Sequence, residues 1–215
     1  KTIKAGKELQ NISTNGNKGV EDAFYASLGK RDNTKYRGLY GTQLEGGFDD
    51  VYETKIKVTK DIKLASRDTA SKTFKHLVEN DPEFKKAVTD HFSNIAYPTP
   101  KQNALNRSAV EKLKKGIADP KVYEAFNLSL TEHSDNQANK AARTFYDTLK
   151  SKGYDAIQDI NDRKYSGYHS TTPTIFFGGS RALTVDRVRA LTSDEIQKST
   201  RIAYADIIGT DAVKK

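Results

Sequence analysis

The sequence predicts an α+β fold, in which strands from both ends of the chain form one mixed or antiparallel sheet and a helical middle segment packs on it. Glycine is the first observation. Of 14 glycines, eight lie in residues 1–50 and five lie from Gly153 onward, which leaves Gly116 alone between them. Strand-like alternation near both ends is the second observation, and repeated helix-start signals in the middle are the third. We predict one domain over residues 1–215, with a helical insertion at about 67–152.

The predicted strands are short and lie on both sides of the insertion. Residues 51–58 alternate apolar and polar side chains, which is the period of a half-buried strand. Further strands are predicted at residues 9–12, 62–65, 154–160, 174–177 and 184–191. The sheet therefore has to join the two ends of the chain.

The predicted helix starts are marked by capping residues. Ser66, Asp81 and Asp119 are the expected N-caps of three helices, and proline follows the two aspartates at the first helical position. Capping boxes at residues 108–111 and 192–195 predict two more helix starts.

The ends of the insertion are also marked. Asp135 is expected to begin its last helix, and Gly153 is expected to end that helix as a left-handed C-cap. Residues 97–100 contain two prolines and are predicted to be a loop. Residues 97–107 are the best candidate for a flexible seam within the domain.

Composition excludes several classes of function. The chain has 36 Lys and Arg against 28 Asp and Glu, a net charge of +8, which attracts polyphosphates. Cysteine is absent, which excludes disulfides, zinc–thiolate sites, thiol nucleophiles and iron–sulfur clusters. Methionine is absent too; resistance to sulfur oxidation suits an exported protein, and a composition rich in Lys, Asn and Thr explains the absence equally well. No apolar run approaches the ~18 residues of a membrane-spanning helix, so no membrane span is expected.

The densest polar segment is residues 153–172. It contains three Asp and one Asn within residues 155–162, followed by His169, which could act as a general acid or base. Lys164 stands where a calcium-binding loop has Gly, so no metal site is predicted. The same composition also suits a wet hairpin loop, because Asp and Asn form turns.

A second segment mixes aromatic residues with cations. Residues 24–31 and 36–41 contain four Tyr and Phe and three Lys and Arg, counting both stretches. Such a mixture suits stacking on a ring and contact with a phosphate, and it equally suits an edge loop that rests on the core. The chain has no P-loop, no G-x-G-x-x-G and no G-x-S-x-G motif.

The order of these motifs resembles a known family. The segments that carry the resemblance are residues 3–13, 24–27, 61–66, 152–162 and 173–177. Together they resemble bacterial ADP-ribosyltransferase-like domains of secreted toxins and phage head-associated proteins. The helical insertion contributes nothing to the resemblance.

The resemblance implies a function and a setting. It implies a toxin or effector domain that binds NAD as its substrate and transfers ADP-ribose to a target protein or nucleic acid, or hydrolyses NAD. It further implies a secreted or virion-associated monomer that acts inside a target cell, with an immunity protein as a further partner.

The implied catalytic group is a carboxylate held against the ribose, where positive charge develops. Asp159 and Asp162 are the two candidates, with Asn161 beside Asp159 as a hydrogen-bond donor to the ligand. Strand alternation places Asp159 on the face of Ile157, so that burial of Asp159 is expected. The family's late Glu has no counterpart in this segment.

The implied NAD contacts come from the first part of the chain. Asn11 occupies the position at which the family has a first-strand Arg. Ser27 would hydrogen-bond, a tyrosine would stack on the nicotinamide and an arginine would take the phosphate. The full set is Asn11, Ser27, Arg31 or Arg37, and Tyr36 or Tyr40.

Two alternatives belong to other classes of function. One is a metal-independent ribonuclease-type toxin, with His169 as acid or base and Arg163, Lys164 and Arg181 as phosphate contacts. The other is a non-catalytic binding module on a virion or cell surface, in which scattered lysines keep the exposed face soluble.

Overall fold

The computed structural model describes residues 1–13, 23–28, 51–130, 136–165, 172–177 and 182–207. The chain divides into two compact units. The helical unit contains residue 1 and residues 63–169, and the sheet unit contains residues 2–62 and 170–215.

Strands and helices follow one another in the order that an α+β fold requires. The strands are β1 (Thr2–Ile3), β2 (Glu8–Ser13), β3 (Ala23–Ser27), β4 (Tyr52–Val58), β5 (Ile62–Lys63), β6 (Ala156–Gln158), β7 (Pro173–Phe177) and β8 (Leu183–Ala190). The helices are α1 (Arg67–Asn80), α2 (Pro82–Asn94), α3 (Pro100–Lys114), α4 (Pro120–Ser129), α5 (Asn136–Ser151) and α6 (Ser193–Ile207). A π-helical turn, Asn161–Tyr165, follows β6.

The sheet unit joins the two ends of the chain, as predicted. Its antiparallel strands are ordered β7-β3-β2-β4-β8. Leu9 lies opposite Ile56, and Tyr52 lies opposite Ala190. Every residue of β7 is buried. The α+β prediction is therefore confirmed, since N-terminal and C-terminal strands pair and the helices α1–α5 lie between them in sequence.

Aromatic side chains form the core of the helical unit. Phe74 of α1 stacks on Phe126 of α4 with the ring centroids 4.8 Å apart. Phe145 of α5 meets Phe126 edge-on at 5.1 Å, and Phe84 of α2 meets it at 5.6 Å. All four side chains are buried. Since α4 contacts three other helices through one ring, it is the central helix of this core.

Most of the predicted capping residues are confirmed. The side chains of Ser66, Asp81 and Asp119 each accept a backbone N–H at the start of α1, α2 and α4. Thr192 does the same for α6, accepting the N–H of Glu195 at 3.2 Å. Gly153 has φ of +86°, the left-handed conformation expected after α5.

The helix start predicted at residues 108–111 is wrong. Those residues lie inside α3, which begins eight residues earlier at Pro100. Thr99 is the N-cap, and it exchanges hydrogen bonds with Gln102 in a capping box. Proline is compatible with the first helical position because no intrahelical partner awaits its missing N–H. The predicted seam at residues 97–107 is consequently mostly helix.

Asp119 should give the stability of the helical unit a measurable pH dependence. Desolvation opposes ionisation, but hydrogen bonds from Lys112 Nζ and from the N–H of Val122 hold the pKa of Asp119 below its usual range. Its stabilising effect is therefore present above the unfolded-state pKa of about 3.9 and is lost as the pH falls through the lower, folded-state pKa.

The measurement is urea denaturation of wild type and Asp119→Asn between pH 3 and pH 7. Asparagine keeps the cap but cannot titrate, so the variant should lose less stability on acidification than wild type. Asp119→Ala, which removes the cap, should cost about 1 kcal/mol at neutral pH. Identical acid profiles for wild type and Asp119→Asn would contradict the role given to this carboxylate.

Candidate functional site

Two of the segments that carry the resemblance meet inside the helical unit. Leu64 and Ala156, far apart in sequence, form a parallel bridge. The N–H of Ala65 donates to the carbonyl of Ala156 at 2.9 Å. Asp155 and Lys63 exchange two hydrogen bonds, one of them from the Lys63 N–H to Asp155 Oδ2 at 3.2 Å. The residues that lead into α1 therefore lie beside β6, and the two segments that follow begin close to each other.

The fully buried side chain of Asn127 fixes the backbone around Asp159. Asn127 Nδ2 donates to the carbonyl of Gln158 at 3.0 Å, and the N–H of Ile160 donates to Asn127 Oδ1 at 2.8 Å. Asp159 itself is only 3% exposed, so its predicted burial is confirmed. Because Asn127 belongs to α4, that helix holds the backbone on both sides of Asp159.

Asn161 is also buried, and its side chain ties the π-helical turn to α3. Gln102 Nε2 donates to Asn161 Oδ1 at 2.8 Å, and both residues are less than a tenth exposed. The Thr99 hydroxyl donates to the carbonyl of Tyr165 at the other end of the turn, at 3.4 Å. The N-terminus of α3 thus holds both ends of residues 161–165.

Glu124 of α4 is a completely buried carboxylate among cations. Arg67 and Lys164 pair with its Oε1, the latter at 3.4 Å, and Lys121 pairs with its Oε2 at 3.3 Å. The hydroxyl of Tyr165 donates to the same Oε2. A buried charge is tolerated only when it is paired and hydrogen-bonded, and here both oxygens have partners.

Tyr165 brings a further cation to this group. The ammonium of Lys101 lies 5.3 Å from the centre of the Tyr165 ring, and that of Lys164 lies 5.7 Å from it. Lys101 also donates to the carbonyl of Lys164 at 3.2 Å. Burial raises the pKa of the Tyr165 hydroxyl while the charge of Arg67 lowers it, with a net rise, so the phenol stays protonated. We call the six residues Arg67, Lys101, Lys121, Glu124, Lys164 and Tyr165 the Glu124 cluster.

Positive charge exceeds negative charge in the Glu124 cluster, because it contains four cations and one carboxylate, and three of the cations pair with that carboxylate. The pKa of Lys121 is lowered, first by desolvation and then by the charges of Lys164, Arg67 and Lys101. The cationic side chains reach water, at 45% exposure for Arg67, 57% for Lys121 and 44% for Lys164. The arrangement can therefore bind an anion from solvent, while the buried Glu124 carboxylate pairs with the cations on their other side.

The predicted site residues are divided between the two units. Asp159, Asn161 and Asp162 lie in the helical unit, the last within the π-helical turn. Asn11 lies on β2 opposite Thr54, and Ser27 lies at the end of β3, both in the sheet unit. The predicted residues outside the described part of the chain are Arg31, Tyr36, Arg37, Tyr40, His169 and Arg181.

Sequence reasoning missed Glu124. The resemblance places the family's glutamate near residue 160 and contributes nothing to the helical insertion, so no functional residue is expected on α4. One signal was available: Glu124 interrupts an otherwise apolar run, residues 122–126, in a short helix. A charged side chain at the centre of such a run has to be buried with partners, and this pattern makes Glu124 a candidate functional residue.

Removing the charge of Glu124 should destabilise the helical unit. In Glu124→Gln the cations lose their counter-ion and repel one another. Breaking a fully buried pair costs about 3–5 kcal/mol, and we expect ~2 kcal/mol here because the cations reach water. Salt screens repulsion between exposed charges, so 1 M NaCl should recover part of the loss. The measurement is the free energy of unfolding at low and high salt.

Asp68→Asn is the matched control. Asp68 pairs with Lys72 at 2.7 Å, but both side chains are more than two thirds exposed, so the change should cost less than about 1 kcal/mol. Equal losses in the two variants, with no rescue by salt, would show that Glu124 does not act as a counter-ion.

Comparison with protein-family models, with curated proteins and with solved structures found no match for this chain. In the described ranges no helix has the length and apolar character needed to cross a membrane. The same ranges contain no group of three His, Asp or Glu side chains arranged to hold a metal ion. The function has to be inferred from the residues of the chain itself.

Proposed function

We propose that the chain is an ADP-ribosyltransferase-like domain that takes NAD as its substrate and transfers ADP-ribose to a target macromolecule, or hydrolyses NAD. The observation that carries the proposal is the bridge between Leu64 and Ala156. It joins residues 61–66 to residues 152–162, two segments of the resemblance that are separated by the whole helical insertion. Random similarity of short motifs gives no reason for them to be neighbours.

The chemistry requires a carboxylate in a fixed position. Breaking the bond between nicotinamide and ribose develops positive charge on the sugar, and a preorganised negative group stabilises that charge. Asp159 is our candidate. Asn127 binds the backbone on both sides of it, and its burial strengthens the electrostatic effect because little water screens it.

Glu124 of α4 adds a second carboxylate, and Tyr165, whose hydroxyl donates to Glu124, adds an aromatic ring. Asn127 and Glu124 are both on α4, so one rigid element positions the segment of Asp159 and the cations around Glu124. A catalytic constellation held by a helix in the core keeps its geometry better than one held by loops. We assign Asn161 the role of a positioning residue for the π-helical turn, because its side-chain amide oxygen accepts a hydrogen bond from Gln102.

The setting of the reaction remains part of the proposal. A secreted or virion-associated toxin or effector would deliver the domain to a target cell, where a protein or a nucleic acid accepts ADP-ribose. An immunity protein would protect the producing cell. The net charge of +8 favours acceptors that carry negative charge.

A metal-independent ribonuclease is the second candidate, and one observation favours it. Lys164, a predicted phosphate contact, lies 3.4 Å from Glu124 Oε1 in a cluster that also contains a phenol and further cations. Cations that hold a phosphodiester, together with a carboxylate able to move a proton, are the parts such an enzyme needs.

The test of the proposed function is release of nicotinamide from NAD, with cell lysate as a source of acceptors. Asp159→Ala should reduce the rate by on the order of 10²–10³, as the loss of one preorganised electrostatic contact typically does. Asp162→Ala should keep most of the activity and cost mainly stability, about 1 kcal/mol.

Asp159→Asn, which preserves shape, separates loss of charge from loss of fold, and thermal unfolding of each variant checks that it is folded. Wild type that releases no nicotinamide would end the transferase proposal. Cleavage of RNA by that same preparation, abolished in Glu124→Gln, would put the ribonuclease in its place. No reaction with either substrate would favour a binding module.

A further inference from the structure

We propose that the Glu124 cluster is a phosphate-binding site whose ligand is a small pyrophosphate-bearing molecule. The identification of the ligand as the pyrophosphate of NAD rests on the proposed function. The binding of an anion at this site does not depend on it.

Three of the four cations occupy helix positions that disfavour them. Arg67 is the first residue of α1, Lys101 is the second residue of α3, and Lys121 is the second residue of α4. A helix N-terminus carries partial positive charge, so a basic side chain in the first turn is unfavourable. The first turn of α3 has no acidic residue to offset this, whereas α1 has Asp68 in its first turn and α4 has the Asp119 carboxylate at its N-cap.

The unfavourable positions converge on one point. Lys121 Nζ lies 3.5 Å from the Tyr165 hydroxyl, and the ammonium groups of Lys101 and Lys164 lie near the same ring. Arg67 reaches the group through Glu124. Cations and helix N-termini of like sign thus surround one phenol. Residues at positions that their local structure disfavours are concentrated at functional sites. A bound anion would reduce the repulsion among all of these positive groups at once.

Glu124 relieves only part of the repulsion. It supplies one negative charge, which cannot neutralise the four cations of the cluster. The lowered pKa of Lys121 reflects, after desolvation, the repulsion that remains. The cations reach water, because between 44% and 57% of the side chains of Arg67, Lys121 and Lys164 is exposed.

The chemistry of the cations selects phosphate over a simple carboxylate. Three ammonium groups act as point charges with rotatable donors, and a guanidinium adds a planar fork that matches phosphate oxygens. A pyrophosphate carries several negative charges on adjacent groups, enough to engage cations from three helices at once. A single carboxylate carries one charge, which Glu124 already provides.

The experiment is calorimetric titration of the full chain with inorganic pyrophosphate at constant ionic strength. We expect saturable binding to one site, accompanied by a rise in Tm, because a ligand that binds only the folded state stabilises it. Lys121→Gln and Lys164→Gln should each weaken binding about tenfold, the loss typical of one charged hydrogen bond.

Lys72→Gln is the matched control, since it removes the same charge from an exposed position of α1. Its affinity should equal that of wild type. Wild type without saturable binding, or equal weakening in Lys72→Gln and Lys121→Gln, would overturn the site, because diffuse charge would then explain any affinity.

The same titration separates this site from the transferase proposal. Saturable pyrophosphate binding that is lost in Lys121→Gln, in a protein that releases no nicotinamide, would uphold the site and reject the transferase. Release of nicotinamide by a protein that fails to bind pyrophosphate, at an unchanged rate in Lys121→Gln, would reject the site and uphold the transferase.

Discussion

A carboxylate that water cannot reach has to be neutralised by its neighbours, and Glu124 imposes that constraint on the helical unit. Glu124 lies at the centre of α4. In the same helix, Phe126 belongs to the aromatic core and Asn127 binds the backbone next to Asp159. Its partners arrive from the start of α1 and from the π-helical turn. Packing and electrostatics therefore fix the same helix, and loss of either would release the segments around it.

The constraint explains why the cations gather but not why there are four of them. One carboxylate requires one or two cations, and each further cation adds repulsion, especially at helix N-termini of like sign. Two of the four cations, Lys101 and Lys164, lie 5.3 Å and 5.7 Å from the centre of the Tyr165 ring. A protein that keeps this repulsion in its free state has a site that an anion completes. The proposed NAD chemistry and the alternative ribonuclease chemistry both begin with such an anion.

The sequence predicted well those features that depend on neighbouring residues. The caps Ser66, Asp81 and Asp119 needed only a side-chain oxygen and the next turn. The burial of Asp159 was predicted correctly, but the predicted strand 154–160 is shorter in the structure, since β6 ends at Gln158 and Asp159 follows it. At residues 108–111 a local signal failed, because Thr99 offered a better cap beside Pro100. The Glu124 cluster could not be predicted, since its partners lie 57 and 40 positions away along the chain and their meeting depends on helix packing.

The pKa of Lys121 tests the central claim, that positive charge in the Glu124 cluster exceeds what Glu124 neutralises. It can be measured by NMR of the Lys121 side chain as a function of pH, with Lys86 as the internal reference. A hydrogen bond from Lys86 to Asp90 raises the pKa of Lys86. We expect the pKa of Lys121 to lie below the ordinary value of about 10.4 and to rise when pyrophosphate is added. A value for Lys121 at or above that of Lys86 would contradict the claim, because Glu124 would then suffice for all of its cations.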